Sequence, residues 1–183
     1  MRLILASASP RRAELLRAAG FEFEIVATNV DESVRAGESP RQYVRRLAAD
    51  KSAAALRPDA IVLGADTTVV VDDEILAKPI DDADAAAMLR KLSGRTHDVL
   101  TGISLRRGAF ELGRVETTQV TFAALSDADV AWYVASGEGL DKAGAYAIQG
   151  LASRFIPRVD GSYSNVVGLP VAAVCELVRE ISR

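Results

Sequence analysis

Five residues, Arg2 to Ala6 (RLILA), run almost wholly apolar before the chain turns polar at Ser7, the pattern of a buried strand. Ser9-Pro10 then sets an N-cap residue ahead of one whose fixed φ suits the first helical position. Leu15, Leu16 and Ala19 predict the inward face of that helix, and Gly20 its stop. In FEFEIVA, apolar and acidic residues alternate, predicting a half-exposed strand from Phe21 to Ala27. After a polar loop, Ser39-Pro40 opens a second helix with Tyr43, Val44, Leu47, Ala48, Lys51 and Ala55 down one side. AIVLGADTTVVVDDEIL predicts a strand, a tight turn at Asp72-Asp73 and a short returning strand. DDADAAAMLRKLSG reads as a capped helix ending at Gly94, and two or three longer strands follow between Asp98 and Leu125. A helix at SDADVAWYVASG, a glycine-rich loop, the segment GAYAIQG and a closing helix from Pro170 complete the chain.

Strands separated by helices, together with neighbouring strands that must pair antiparallel, predict an α/β or α+β fold built on a mixed sheet. No repeat, linker or low-complexity tract divides the sequence, so residues 1–183 are expected to form one domain, with room for two lobes around one sheet.

Composition narrows the function. Lys plus Arg number 22 against 25 Asp plus Glu, a formal charge of -3, which argues against the basic face that nucleic-acid binding needs. A local basic pocket for one anionic ligand remains compatible with that balance. The single cysteine, Cys175, excludes an intrachain disulfide and suits a reducing cytoplasm. With Val171, Val174 and Val178 on its helical face, it is expected to be a buried structural thiol. The most apolar run is cut by Asp66, so no membrane span is expected, and the apolar start is too short for a signal-peptide core.

Three stretches carry candidate chemistry. In ASASPRRAELL, Ser7, Ser9, Arg11 and Arg12 gather hydroxyl donors and guanidinium forks at a helix N-terminus, a setting for phosphate oxygens. Ordinary capping with solvated arginines is the alternative, although positive charge in a first helical turn opposes the dipole. In IVLGADTTVVV, Asp66 interrupts a buried-looking strand and requires a metal, a cationic partner or water. Asp31-Glu32 in a loop, Lys51 on an apolar helix face and Lys78 before Pro79 could converge with it, since carboxylates with Mg²⁺ or Mn²⁺ and lysines on phosphate oxygens serve phosphoryl or nucleotidyl hydrolysis. Taken singly, each of these charges reads as a surface residue. In GLDKAGAYAIQG, the Gln149 amide can both donate and accept, which suits reading a nucleobase edge, holding a water or bonding to backbone.

Absences exclude other chemistries. There is no G-x-x-x-x-G-K-[ST] cradle, and His97 is the only histidine, so a zinc site built on several histidines is impossible. A serine or cysteine nucleophile with a histidine base would have to use His97, which is expected to order the start of a strand instead.

Six blocks in order, SASPRRAELL, Asp31-Glu32, GADTTVVVDDEILAKP, GRTHDVLTG, DKAGAYAIQG and GSYSNVVGLP, resemble the Maf family of nucleoside triphosphate pyrophosphatases over nearly the whole chain. The resemblance implies an inosine triphosphatase-like (Maf/Ham) fold with two lobes, a long mixed sheet and a central cleft. It implies hydrolysis of a nucleoside triphosphate to the monophosphate and pyrophosphate with a divalent cation, Mg²⁺, Mn²⁺ or Co²⁺. The family's proton-accepting aspartate falls on Asp66, and its phosphate-binding and metal-associated positions fall on Ser7, Arg11, Arg12, Glu32, Lys51 and Lys78. Arg11, Thr67 and Gln149 match the specificity positions of the branch that hydrolyses dTTP and UTP, whereas the branch preferring 7-methyl-GTP carries a glutamate where this chain has Gln149.

On that resemblance, Arg11, Arg12, Lys51 and Lys78 would stabilise charge on the departing pyrophosphate, and Glu32 and Asp66 would hold the metal. Asp66 would take the proton of the attacking water. The family is associated with arrest of septum formation and cell division and with clearance of non-standard nucleotides. Two alternatives stand beside the dTTP/UTP reading: a 7-methyl-GTP or other modified-nucleotide pyrophosphatase, and a non-catalytic nucleotide-binding regulator of septation. A cytoplasmic protein is expected, without nucleic-acid or membrane partners, and the resemblance admits a homodimer.

Overall fold

Serine caps and prolines start the first two helices where local chemistry places them. The computed structural model describes residues 2–183, in which strand β1 (Arg2–Ala6) leads into helix α1 (Pro10–Ala18) and the two-residue strand β2 (Glu24–Ile25). Ser9 caps α1 with Pro10 in its first turn. Ser39 and Gln42 form a reciprocal capping box at the start of helix α2 (Pro40–Ala54). There follow β3 (Ala60–Val71), β4 (Glu74–Leu76), α3 (Asp82–Leu92), β5 (Thr96–Arg107), β6 (Phe110–Thr121) and α4 (Asp127–Ala135). Short 3-10 turns at Ala143–Ala145 and Leu151–Phe155, strand β7 (Arg158–Asp160), and helices α5 (Tyr163–Val167) and α6 (Val171–Ile181) close the chain. Asp72 and Asp73 both take positive φ, 51° and 61°, which turns β3 back into β4 as the sequence predicts.

The seven strands form one sheet in the order β2-β1-β3-β5-β6-β7, with β4 paired to β3. β1 pairs parallel with β2 and with β3, while β3 with β4 and β6 with β7 pair antiparallel. The mixed sheet is therefore as expected. Among the described residues, no helix is long and apolar enough to cross a membrane.

The chain divides into two compact units. One comprises the chain up to Thr67, Thr101–Glu116 and Gly168–Arg183; the other comprises Thr68–Leu100 and Thr117–Val167. In the first unit β1 is buried on both faces, which explains its unbroken apolar run. Leu3 and Leu5 pack with Leu16 of α1, Ile103 of β5 and Leu177 of α6. Ile4 and Ala6 pack the other way, against Ala55 and Val62. The second unit holds an aromatic cluster in which His97, Phe122 and Tyr146 meet edge to face, with centroids 4.9 to 5.4 Å apart.

Three expectations are corrected. The strand predicted over 21–27 shrinks to Glu24–Ile25, because only these two residues are in register with Ile4 and Leu5 of β1. Phe21 and Phe23 alternate because they pack on the core as side chains, outside any ladder. On α1, Ala13 is buried with Leu16, and Ala19 is the exposed C-cap. On α6 the buried face is Ala173, Val174, Leu177 and Ile181, which leaves Cys175 half-buried at its border.

Candidate active site

Two glycines bring a helix backbone down onto the sheet in the first unit. A Cβ at Gly64 would stand 2.2 Å from the Ala48 carbonyl oxygen and 2.6 Å from the Ser52 nitrogen, and one at Gly102 would stand 2.2 Å from the Val44 carbonyl oxygen. No side chain fits at either position, so α2 packs directly on β3 and β5. The turn of α2 that follows carries Lys51, whose ammonium reaches Asp66 near the middle of β3.

Lys51 Nζ lies 2.7 Å from Asp66 Oδ1 and 2.7 Å from Glu32 Oε1. Lys51 and Asp66 are 7% and 8% exposed, so each charge is balanced where water can do little of the work. That settles the partner Asp66 needs. Glu32 comes from an exposed loop held in place by α2. The Tyr43 hydroxyl donates to the Glu32 carbonyl at 3.0 Å, and Arg46 donates to the carbonyls of Asp31 and Ser33 on either side. Arg46 also grips both carboxylate oxygens of Glu38. This pairing holds the Glu38 carboxyl down at about 2. Burial first, then Asp66 and Glu32, push the Tyr43 phenol up to about 12, keeping it a donor.

Beside this pair, the Arg12 guanidinium is fixed on three sides. Nε donates to the Gly168 carbonyl at 2.8 Å, and the terminal nitrogens donate to Ser7 Oγ and to Thr67 Oγ1, each at 3.2 Å. The Thr67 hydroxyl lies 2.9 Å from Thr101 Oγ1 and also reaches the Gly168 carbonyl at 3.2 Å. Burial pulls the Arg12 guanidinium below its ordinary value and Arg11 adds to this, while Asp66 and Glu32 act the other way. Arginine and carboxylates thus share one electrostatic environment. Gly168 sits at φ 131°, a backbone that only glycine adopts without strain, and there its carbonyl serves Arg12 and Thr67 together.

The arrangement suits anionic oxygens: two adjacent arginines at a helix start, a lysine, serine and threonine hydroxyls, and two carboxylates. A metal fits the donor set as well. Asp66 and Glu32 each turn a carboxylate oxygen to the same ammonium, and hard oxygen donors of this kind suit Mg²⁺, Mn²⁺ or Co²⁺. Among the described residues no cluster of three or more His, Cys, Asp or Glu could hold an ion. A site with two carboxylates would leave substrate phosphates and water to complete a magnesium shell.

Seven of the predicted residues, Ser7, Arg11, Arg12, Glu32, Lys51, Asp66 and Thr67, fall in the first unit, and Lys78 and Gln149 fall in the second. Both of the latter are exposed. Lys78 follows Ala77, whose carbonyl accepts the Gly144 N–H at 3.2 Å. His97 does order the start of a strand: it is the second residue of β5, with Nε2 2.8 Å from the Tyr146 hydroxyl. Burial lowers it to about 4, a neutral ring at neutral pH. Sequence reasoning missed Tyr43, Thr101 and Gly168, which bond to Glu32, Thr67 and Arg12, and Arg46, which bonds to the residues on either side of Glu32, all from other parts of the chain. The one usable signal is Gly168 before Leu169-Pro170, within the block GSYSNVVGLP.

A family model described as "Maf-like protein" matches residues 2–181. A dTTP/UTP pyrophosphatase of Koribacter versatilis is 52% identical, with 98% of this chain and 94% of that protein aligned. A dTTP/UTP pyrophosphatase of Shewanella oneidensis is 51% identical, with 98% of each covered. Among solved structures, the Ham1 protein of Staphylococcus aureus superposes with a TM-score of 0.55 at 11% identity over 100% of both chains. A HAM1 protein from Coxiella burnetii gives 0.53 at 14% identity over 98% of this chain and 99% of that one. At such identities the likeness is one of fold.

Proposed function

This chain belongs to the Maf-like family, and from that premise we propose that it hydrolyses dTTP and UTP to the nucleoside monophosphate and pyrophosphate. The observation that carries the reading is the buried acid of β3 tied to Lys51 beside Arg12. Relatives about half identical over nearly their whole length, named dTTP/UTP pyrophosphatase, support the substrate.

The chemistry needs a water at the α-phosphorus and cations on the departing pyrophosphate. Asp66 accepts the proton of that water. Lys51 fixes the carboxylate through Oδ1 and adds positive charge near the phosphates. Arg12, held by Ser7, Thr67 and Gly168, presents its charge with little freedom left to lose. Arg11 adds a second guanidinium, and Lys78 a further cation for the phosphates. Glu32 and Asp66 would hold the divalent metal, which when bound neutralises phosphate charge. Gln149 reads the base, accepting from the N3–H of uracil or thymine while donating to a carbonyl. A purely binding role would use the acid only to balance Lys51, whereas hydrolysis also gives it a proton to accept. The reaction belongs in the cytoplasm, where nucleotides are found, and the reading leaves room for a homodimer and a part in arresting division.

A panel of dTTP, UTP, CTP, GTP and 7-methyl-GTP, with Mg²⁺, Mn²⁺ or Co²⁺, tests the reading by product. Equimolar monophosphate and pyrophosphate from dTTP and UTP is the expected result. Release of orthophosphate, or 7-methyl-GTP as the best substrate, contradicts it.

A further inference from the structure

In the second unit, the peptide that carries Gln149 is held from both sides by one side-chain pair. The Ala147 N–H donates to the Tyr133 hydroxyl at 3.0 Å, that hydroxyl donates to Glu138 Oε2 at 2.7 Å, and Glu138 Oε1 accepts the Leu151 N–H at 2.9 Å. The residues two before and two after Gln149 thus hang on a single relay. Gly150 leaves room for it: a Cβ there would fall 1.9 Å from Glu138 Oε1.

The relay stands on rigid ground. Tyr133 is 1% exposed on α4, a helix closed at its start by the Ser126–Asp129 capping box, and its ring meets Phe155 edge to face. Burial, then the bond to Glu138, hold the Tyr133 phenol above its ordinary value, so it keeps the proton it donates. Further anchors lie upstream. Gly144 and Ala145 take positive φ, 69° and 58°, and Tyr146 bonds His97 at 2.8 Å. A non-glycine residue in that conformation persists only where its surroundings enforce it. The Gln149 side chain itself is exposed. The relay fixes where the Gln149 side chain leaves the backbone, and its exposed amide is reached from that fixed starting point.

We propose that Tyr133 and Glu138 are specificity-determining positioning residues, which set the Gln149 amide for pyrimidines bearing an N3–H and a 4-carbonyl. The inference rests on Gln149 reading the base. Cytosine presents an acceptor at N3 and an amino donor at C4, so an amide whose backbone places it for an N3–H and a 4-carbonyl meets mismatched polar groups there, whereas a displaced backbone lets the amide reach either base.

The test is the ratio of kcat/KM for UTP to that for CTP, with the melting temperature of each variant, in Tyr133→Phe, Glu138→Ala, Glu138→Gln and Gly150→Ala. Tyr133→Phe and Glu138→Ala are expected to lower the ratio about tenfold or more, chiefly through the KM for UTP. Glu138→Gln keeps an acceptor and the shape, and is expected to restore most of the selectivity. Gly150→Ala, which displaces the carboxylate from the other side, gives the same loss should Tyr133→Phe fail to fold. In a Gln149→Ala background, Tyr133→Phe is expected to change the ratio no further. Folded variants with unaltered selectivity, beside a Gln149→Ala that loses it, overturn the proposal while leaving the reading of Gln149 intact. So does an equal fall for both nucleotides, the mark of a merely structural role. A Gln149→Ala variant that keeps full selectivity overturns the base-reading role, and the proposal with it.

Discussion

Lys51 Nζ stands 2.7 Å from Asp66 Oδ1, a lysine from an apolar helix face meeting an acid from an apolar strand. Neither charge would be tolerated there alone, because stripping water from one ion costs several kcal/mol. Lys51→Met is therefore expected to destabilise the fold by about 3 kcal/mol and to lower kcat/KM by about a hundredfold or more. Thermal unfolding and steady-state kinetics read the two effects. The double variant Lys51→Met/Asp66→Asn is expected to regain much of the stability and none of the activity, which separates the pair's structural part from its chemical one.

Gly64→Ala drives a methyl group into the Ala48 carbonyl, 2.2 Å away. A loss of about 1–3 kcal/mol is expected as α2 lifts from β3, with reduced turnover because Lys51 rides on that helix. Denaturant melts together with kcat measure both, and a variant as stable and active as the parent would refute the close packing.

Arg12→Lys exchanges three directed donors for one compact ammonium. Contacts to Gly168, Ser7 and Thr67 cannot all be kept. The KM for dTTP is expected to rise by about tenfold or more, and the charge retained does not rescue it.

Stability should depend on the single histidine. His97 falls from an ordinary 6.5 to about 4 through burial. Between these values the unfolded chain takes up a proton that the folded chain refuses, so stability drops as pH falls from about 6.5 to about 4. At still lower pH the loss from this group levels off. A melting-temperature profile over that window shows the slope, and His97→Gln is expected to flatten it.

Local chemistry made much of the fold legible. Ser9-Pro10 and Ser39-Pro40 mark helix starts because capping needs only neighbouring residues. The β3–β4 turn was equally clear, since two successive aspartates can take positive φ. What FEFEIVA could not reveal was how little of it pairs: alternation records burial on one side, and Phe21 and Phe23 reach burial by packing. The acid at Asp66 announced that it needed a partner, and Lys51 was already on the right helix face. Which of several partners it takes depends on Gly64 and Gly102, whose near contacts with α2 lie in a distant part of the sequence. The supports of Glu32 and Arg12, namely Tyr43, Arg46, Thr101 and Gly168, act through long-range bonds that no local pattern records.

The central claim is that Asp66 removes the proton of the attacking water. Single-turnover release of pyrophosphate from dTTP by Asp66→Asn, set beside equilibrium binding of dTTP to the same variant, tests it most directly. Turnover lower by about a thousandfold, with binding changed no more than a few-fold, is the predicted result. Pyrophosphate release at near the parent rate would contradict it.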